Sequence, residues 1–108
     1  MLKAKISPSL MCADVTEIKE TLRVFKECGV EYLHIDVMDG VFVPNFTLGD
    51  GFVRQIRKFT DIPMDYHLMV TEPEAKIDWF ELNKDDIVTV HYESTPHVHR
   101  AISAIKAK

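Results

Sequence analysis

Residues 31–45 read EYLHIDVMDGVFVPN, and this stretch decides the fold because an alternating segment runs directly into a turn. In an extended strand, residues two apart point to the same side, so His34, Asp36 and Met38 share one face. The alternate positions are wholly apolar: Leu33, Ile35 and Val37. A strand of this kind packs its apolar face against helices. The stretch therefore predicts a strand over residues 31–38 that carries an imidazole, a carboxylate and a thioether on its other face.

A second stretch, IPMDYHLMV at residues 62–70, repeats this pattern. Asp65, His67 and Met69 share one face there, so each strand carries a His followed two residues later by a Met. Together with Asp36, the two imidazoles form a ligand set suited to Zn, Fe(II), Mn or Co. A single buried His is more often a hydrogen-bonded structural group, and Met is more often core filler. The repetition is what favours a metal site.

Apolar periodicity switches between strand-like and helix-like along the whole chain. The four predicted strands cover residues 5–11, 31–38, 62–70 and 86–91. Helices are predicted over residues 14–28, with Asp14 as N-cap and Gly29 as a left-handed C-terminal residue, and over residues 50–59. A third is predicted from Pro73 with its body at residues 76–82, and a fourth begins at Pro96. The sequence thus predicts four β/α units.

Strands that alternate with helices indicate a parallel α/β fold, either doubly wound or part of a barrel. No GxGxxG or GxxxxGK[ST] segment occurs, so the nucleotide-binding doubly wound folds lose their best evidence. We therefore favour the (β/α)8 TIM barrel. A complete barrel usually needs about 250 residues. The 108 residues would supply about half of one.

Composition excludes several classes of partner. Thirteen Lys and Arg against seventeen Asp and Glu give a net charge of −4 without a basic stripe, which argues against nucleic acid. The apolar stretches are strand-length, far below the roughly 20 residues of a membrane span, so no membrane association is expected. No secretory signal precedes the first predicted strand. Cys12 and Cys28 form neither a CxxC pair nor a disulfide framework, which favours the cytoplasm.

Three segments, in order, carry a family resemblance: ISPSL at residues 6–10, HIDVMDGVFVPN at 34–45 and DYHLMV at 65–70. Together they resemble the ribulose-phosphate 3-epimerase family, whose H-x-D-x-M-D-G-x-F-V-P-N pattern the middle segment matches over twelve residues. The resemblance runs the length of the chain. It implies that residues 1–108 form the N-terminal half of a ribulose-phosphate-binding TIM barrel, an isomerase of carbohydrate metabolism in the pentose phosphate pathway.

The resemblance also implies a role for each matching residue. His34, Asp36 and His67 would bind the divalent metal, and Asp36 would double as the proton acceptor. Ser9 and His67 would contact the ketose phosphate substrate, with Met38 and Met69 over its reacting carbons. The reaction would interconvert D-ribulose 5-phosphate and D-xylulose 5-phosphate at C3 through an enediolate. A homo-oligomer is expected.

Epimerisation needs a second acid on the opposite face of the planar intermediate, because one group returning its own proton restores the starting configuration. In the family that Asp and the glycine-rich phosphate site lie in the C-terminal half. The isolated chain is therefore expected to be inactive. Cys12, where a Ser is common, and Tyr66, where a small apolar residue is common, leave a hexulose-6-phosphate substrate open, as in allulose 6-phosphate 3-epimerase.

Two rival hypotheses come from other classes. The chain could be a non-enzymatic metal-binding module, or a half barrel that self-associates through its unpaired strand edges. It could also be a doubly wound sheet in which the histidines are structural. His91 and Glu93 end the fourth predicted strand in the same alternation, and the sequence leaves open whether they belong to the site.

Overall fold

The computed structural model describes residues 2–108 and contains a parallel sheet of three strands in the order β1-β2-β3. Strand β1 spans Leu33–Met38, β2 spans Met64–Met69 and β3 spans Ile87–Val90. Each lies inside a predicted strand: β1 begins two residues later than predicted, and β2 and β3 are shorter at both ends. In the register of β1 and β2, His34 lies beside Asp65 and Asp36 beside His67. These three strand predictions are confirmed.

The first predicted strand is wrong as a regular element. The chain there is extended and lies beside β1, where Tyr32 and His34 donate their N–H groups to Ile6 O at 3.2 Å and Pro8 O at 2.9 Å. Pro8 has no N–H of its own to donate, so it weakens a continuous ladder. The segment then ends in a 3-10 turn at Leu10–Cys12. The chain therefore has an extended segment at the edge of the sheet in place of the first predicted strand.

Three α-helices lie where the sequence predicts helices. Helix α1 spans Ile18–Glu27, α2 spans Asp50–Ile56 and α3 spans Val98–Lys106. Asp14 caps the 3-10 turn before α1 by accepting from Thr16 N, at 2.9 Å. The longest helix has ten residues. Within residues 2–108, none combines the length and apolar character that crossing a bilayer requires.

The predicted helix after β2 is wrong. The structure has two separate 3-10 turns there, Pro73–Ala75 and Ile77–Trp79. Ile77 and Phe80, three residues apart, are both buried, with 1% and 6% of their surfaces exposed. Both side chains belong to the core cluster that also contains the buried residues of β1 and β2, so two short turns rather than one continuous helix cover this part of the core.

The hydrophobic core lies on one face of the sheet. Burial alternates strictly along β1 and β2, and the buried side chains are Leu33, Ile35, Val37, Met64, Tyr66 and Leu68. They pack against residues of the helices and turns, among them Leu22, Val53, Ile56, Ile77 and Phe80. The other face of the sheet, called the inner face from here on, carries the polar alternation and is not covered by these elements.

This arrangement decides between the two parallel α/β folds. The extended segment and the three strands lie side by side in chain order, and the helical elements pack on one face. A doubly wound sheet reverses its strand order and has helices on both faces. A barrel keeps chain order and places its helices outside. The fold is therefore consistent with part of a barrel, and the doubly wound alternative is not supported.

A buried ion pair ties the sheet to the end of α2, away from the inner face. The Arg57 guanidinium contacts Asp86 Oδ2, and the Asp86 side chain is 2% exposed. Asp86 Oδ1 accepts from Met64 N at 2.8 Å, and Arg57 Nη2 lies 3.2 Å from the hydroxyl of Tyr66. This cluster joins the starts of β2 and β3 to the helical layer.

Candidate metal centre

The three predicted metal ligands lie together on the inner face. His34, Asp36 and His67 each offer one donor atom within 4.8 Å of the others. His34 Nε2 lies 3.1 Å and His67 Nδ1 lies 3.2 Å from the same atom, Asp36 Oδ1. The alternation of each strand and the side-by-side register of Asp36 and His67 produce this convergence. That the group binds a metal stays a prediction.

Asp36 is held as an ionised carboxylate. Its side chain is 10% exposed, and Ser9 Oγ donates a 2.6 Å hydrogen bond to Oδ2. Burial opposes ionisation, but the hydrogen bond from Ser9 and the neighbouring imidazoles outweigh it, so the pKa of Asp36 is lowered. Ser9 occupies one oxygen and leaves Oδ1 facing both histidines.

His34 lies between two carboxylates. Its Nδ1 is 2.9 Å from Asp65 Oδ2, and Asp65 also accepts from Ser7 Oγ at 2.9 Å. Burial opposes protonation of the ring, yet the hydrogen bond to Asp65 and the charge of Asp36 prevail and raise the pKa of His34. A carboxylate on the far nitrogen is the usual way in which a metal-binding His is oriented. Because Asp65 contacts Nδ1, the other nitrogen of His34, Nε2, faces the candidate metal centre.

Two residues of the site were not selected from the sequence. Asp65 shares the alternation of His67, but its contact with His34 depends on strand register. His91 follows β3, and its Nε2 lies 2.7 Å from His67 Nε2. The two-residue alternation of the sequence places both residues on the inner face. Their contacts with His34 and His67 could not be predicted, because those contacts depend on how separate strands align.

The other predicted site residues also lie on this face or at its edge. Met38 and Met69 are paired in register at the ends of β1 and β2, and both are half-buried. Ser9 forms an isolated parallel bridge with His34 and bonds to Asp36. The structure thus brings all six predicted residues to one region. Their contacts with a substrate stay predictions.

Asp39 anchors the loop that follows β1. Its Oδ1 accepts from Val41 N at 3.0 Å and Phe42 N at 2.9 Å, and its Oδ2 accepts from Thr71 N at 2.9 Å and Thr71 Oγ1 at 3.1 Å. Burial opposes ionisation, but the backbone N–H groups of Phe42, Thr71 and Val41 hold the pKa of Asp39 far below its ordinary value. One carboxylate therefore joins the loop after β1 to the end of β2.

The loop closes tightly over the end of β1. Gly40 has φ of +73°, and a Cβ at this position would lie 2.7 Å from two ring atoms of Phe46. Glycine avoids both the left-handed strain and this contact. Thr47 Oγ1 then accepts from Met38 N at 2.8 Å and donates to Asp36 O at 2.7 Å. These contacts fix the backbone on which Asp36 stands.

The donor set fits a divalent cation. Two imidazole nitrogens and one carboxylate oxygen converge, as in catalytic metal sites that keep a coordination position open. Each donor residue also contacts a group outside the centre: His34 contacts Asp65, Asp36 contacts Ser9 and His67 contacts His91. The chemistry of the donors does not select one metal among Zn, Fe(II), Mn and Co.

Comparison with known proteins identifies one family that this chain resembles. A family model described as "Ribulose-phosphate 3 epimerase family" matches residues 5–108. Ribulose-phosphate 3-epimerase of Bacillus subtilis is 43% identical over 102 residues, which is 94% of this chain and 47% of the relative. The chloroplastic ribulose-5-phosphate-3-epimerase of Arabidopsis thaliana is 42% identical over 94% of this chain and 37% of its own length. The enzyme of Methanocaldococcus jannaschii is 36% identical, with 95% and 43% coverage. The chain thus spans less than half the length of each of these curated relatives.

Proposed function

The chain belongs to the ribulose-phosphate 3-epimerase family, and on that premise we propose that it carries the proton-acceptor side of a metal-dependent ketose-phosphate 3-epimerase site. The observation that carries the proposal is the convergence of His34 and His67 on one oxygen of Asp36. The family resemblance implies that these three side chains bind one metal, and their donor atoms lie within 4.8 Å of one another. Their meeting on the open face of the sheet supports a site for substrate chemistry.

Asp36 is the residue we propose as proton acceptor at C3 of the sugar phosphate. A general base must be ionised and within hydrogen-bond reach of the proton that it removes. The lowered pKa of Asp36 meets the first condition at neutral pH. Ser9 holds one carboxylate oxygen, so the other keeps its direction toward the inner face. A divalent cation bound there would supply Lewis-acid stabilisation of the negative enediolate oxygens.

Met38 and Met69 supply the apolar part of the proposed site. They lie side by side at the strand ends, next to the polar group. A thioether adapts its shape to a flat ligand and offers no strong hydrogen bond. We propose that they cover the reacting carbons and keep water from the proton that is transferred. Ser9 and His67 would contact the substrate oxygens.

The site needs a second acid and a phosphate subsite, and we propose that residues outside this chain supply them. Residues 1–108 would then be the N-terminal half of a TIM barrel. The length of the curated relatives supports this proposal, because each is more than twice as long as the segment matched here. On this proposal the 108 residues alone do not invert C3. The homo-oligomer and the cytoplasmic location stay predictions.

For the substrate we propose D-ribulose 5-phosphate rather than a hexulose 6-phosphate. Tyr66, one of the two departures from the family pattern, is fully buried on the helix side of the sheet, where it cannot contact a ligand on the inner face. Cys12, the other departure, is exposed in the turn after the extended segment. Neither residue therefore favours a hexulose, and the relatives described above are named for ribulose phosphate.

The experiment is an epimerase assay on the intact protein that contains this chain. We expect conversion of D-ribulose 5-phosphate to D-xylulose 5-phosphate, and a loss of kcat of roughly a thousandfold in Asp36→Asn, the order of a general base. Asp61→Asn is the matched control, because Asp61 is 78% exposed and pairs at the surface with Lys26, outside the candidate metal centre. Activity that survives Asp36→Asn would refute the assignment.

Metal content gives a second, independent readout. His34→Ala and His67→Ala should each abolish stoichiometric metal after dialysis, while Asp61→Asn should retain it. Full metal content in both histidine variants would refute the proposed centre. A protein that holds its metal through these residues but converts neither ketose phosphate would instead support the non-enzymatic binding module.

A further inference from the structure

His91 is held rigidly at the end of β3. Its carbonyl oxygen accepts hydrogen bonds from Ser94 N at 3.1 Å and Ser94 Oγ at 2.6 Å. Its ring lies between two others, with centroids 4.9 Å from that of His67 and 5.1 Å from that of Phe42. The side chain is 32% exposed. Backbone and ring are therefore both fixed in place beside the candidate metal centre.

The ring of His91 contacts the one nitrogen of His67 that the centre does not use. His67 Nδ1 faces Asp36 Oδ1, while His67 Nε2 lies 2.7 Å from His91 Nε2. Two imidazole nitrogens at this distance form a hydrogen bond only if one carries a proton and the other does not. The contact therefore links the proton positions of the two rings.

Resting on the function proposed above, we infer that His91 is a positioning residue for His67: it fixes the ring so that Nδ1 alone faces the metal centre. Because a nitrogen that binds a metal carries no proton, His67 would then have its proton on Nε2 and donate it to His91 Nε2. His91 would carry its own proton on Nδ1, which faces Glu93 Oε1 at 3.5 Å.

The hydrogen bond between the two rings can also form without a cation, with His91 Nδ1 then unprotonated and the exposed Glu93 carboxylate turned to solvent. His67 Nδ1 then donates to the ionised Asp36, and His91 Nε2 donates to His67 Nε2. Each ring holds one proton in both states, so the hydrogen bond changes direction without a change in charge. A carboxylate or a carbonyl oxygen in the place of His91 could only accept. An imidazole serves both states, and this is the physical reason for a histidine here.

The alternative is a packing role, in which His91 only fills the space between Phe42 and His67. Two variants separate this alternative from a positioning role. His91→Phe keeps a flat ring in the stack but has no hydrogen-bonding nitrogen. His91→Gln loses the ring but keeps a side chain that can donate or accept. Space filling predicts that Phe substitutes best, whereas positioning predicts that Gln does.

The experiment measures zinc affinity and, at one fixed pH, the ring nitrogen signals of histidine in the 15N-labelled protein. We expect His91→Phe to weaken zinc binding about 10–100-fold, the usual effect of removing a group that orients a ligand. His91→Gln should stay within about threefold of the unsubstituted protein. Without metal, the His67 Nε2 signal should have the shift of a hydrogen-bonded acceptor in the unsubstituted and Gln forms and that of a free acceptor in the Phe form.

The outcomes are distinguishable. Unchanged zinc affinity and an unchanged His67 Nε2 signal in His91→Phe would overturn the positioning role, even if the epimerase is active. A protein that binds no zinc would refute the proposed metal centre instead, and the metal-free spectra would still decide whether His91 controls the His67 ring. Dispersed amide signals in both variants show that they are folded.

Discussion

Replacing Asp39 by Asn tests whether one carboxylate holds the loop after β1. The Asp39 side chain is 17% exposed and accepts two hydrogen bonds at Oδ1 and three at Oδ2, the third from Lys76 Nζ. Asparagine is almost the same size, but it has one acceptor oxygen and one amide nitrogen that can only donate. The amide oxygen can stay toward Val41 N and Phe42 N and the Thr71 hydroxyl can rotate to accept, but two donors, Thr71 N and Lys76 Nζ, lose their acceptor. Lys76, whose ammonium lies 3.5 Å away, also loses a charged partner.

The expected loss follows from these contacts. A hydrogen bond to a charged group contributes about 1.5–3 kcal/mol to stability. Because water reaches part of the Asp39 side chain, the lower end of that range applies to each of the two lost bonds. We expect Asp39→Asn to lower the free energy of unfolding by roughly 3 kcal/mol at pH 7. Urea unfolding measures this as a lower midpoint at an unchanged m value.

The lowered pKa of Asp39 determines how the stability difference between the two proteins changes with pH. The backbone N–H groups of the loop overcome burial and hold the pKa of Asp39 far below its ordinary value in the folded protein. A lowered folded pKa means that the stabilisation is complete above the unfolded value, about 3.9, and is lost as the pH falls through the folded pKa. The difference between the two proteins should therefore be constant from about pH 7 to 5 and decline below about pH 4.

Asp61→Asn is the control for this comparison. Asp61 pairs with Lys26 at the surface and is 78% exposed, so its loss should cost about 0–1 kcal/mol at pH 7. If Asp39→Asn also stays within about 1 kcal/mol of the unsubstituted protein, the loop is not anchored by this carboxylate. A difference that persists unchanged well below pH 4 would refute the electrostatic part of the reasoning.

Three other substitutions probe the buried side of the sheet and the loop. Asp86→Asn should lower the free energy of unfolding by about 3–5 kcal/mol, because it leaves the Arg57 guanidinium without its buried partner, and a urea midpoint near that of the unsubstituted protein would contradict this. Gly40→Ala should lower the free energy of unfolding by about 1–2 kcal/mol through left-handed strain, in addition to the contact of the new Cβ with the Phe46 ring. In the double variant with Phe46→Ala, urea unfolding should show that only the loss from this contact is recovered. Tyr66→Phe should cost about 1 kcal/mol and leave zinc affinity unchanged, since the hydroxyl faces the helical layer, and a weaker zinc complex would show that its placement is wrong.

Alternation is the part of the fold and of the site that could be read from the sequence. Which side chains share a strand face depends only on the two-residue period, so the inner positions of His34, Asp36 and His67 followed from their spacing. The three observed strands were predicted for the same reason. No long-range information was needed for either result.

Register and competing packing are what the sequence could not supply. Asp65 orients His34 because β1 and β2 align these two residues, which are 31 positions apart in the chain. The predicted helix after β2 carried an apolar pattern, yet the structure has two 3-10 turns there, with Ile77 and Phe80 buried in the core that includes β1 and β2. In both cases the deciding contact joins segments whose distance apart cannot be known from local spacing.

Core and site depend on the same alternation, so neither can shift without the other. In β2 the buried Tyr66 and Leu68 flank His67, and their exposures of 0% and 1% fix which face the imidazole takes. A slip of one residue would turn His67 into the helical layer and bring Tyr66 to the inner face. Such a slip would bury an imidazole without its partners, which is costly, and would also separate the metal ligands. The free energy that holds the apolar face in register therefore also holds His67 within 3.2 Å of Asp36.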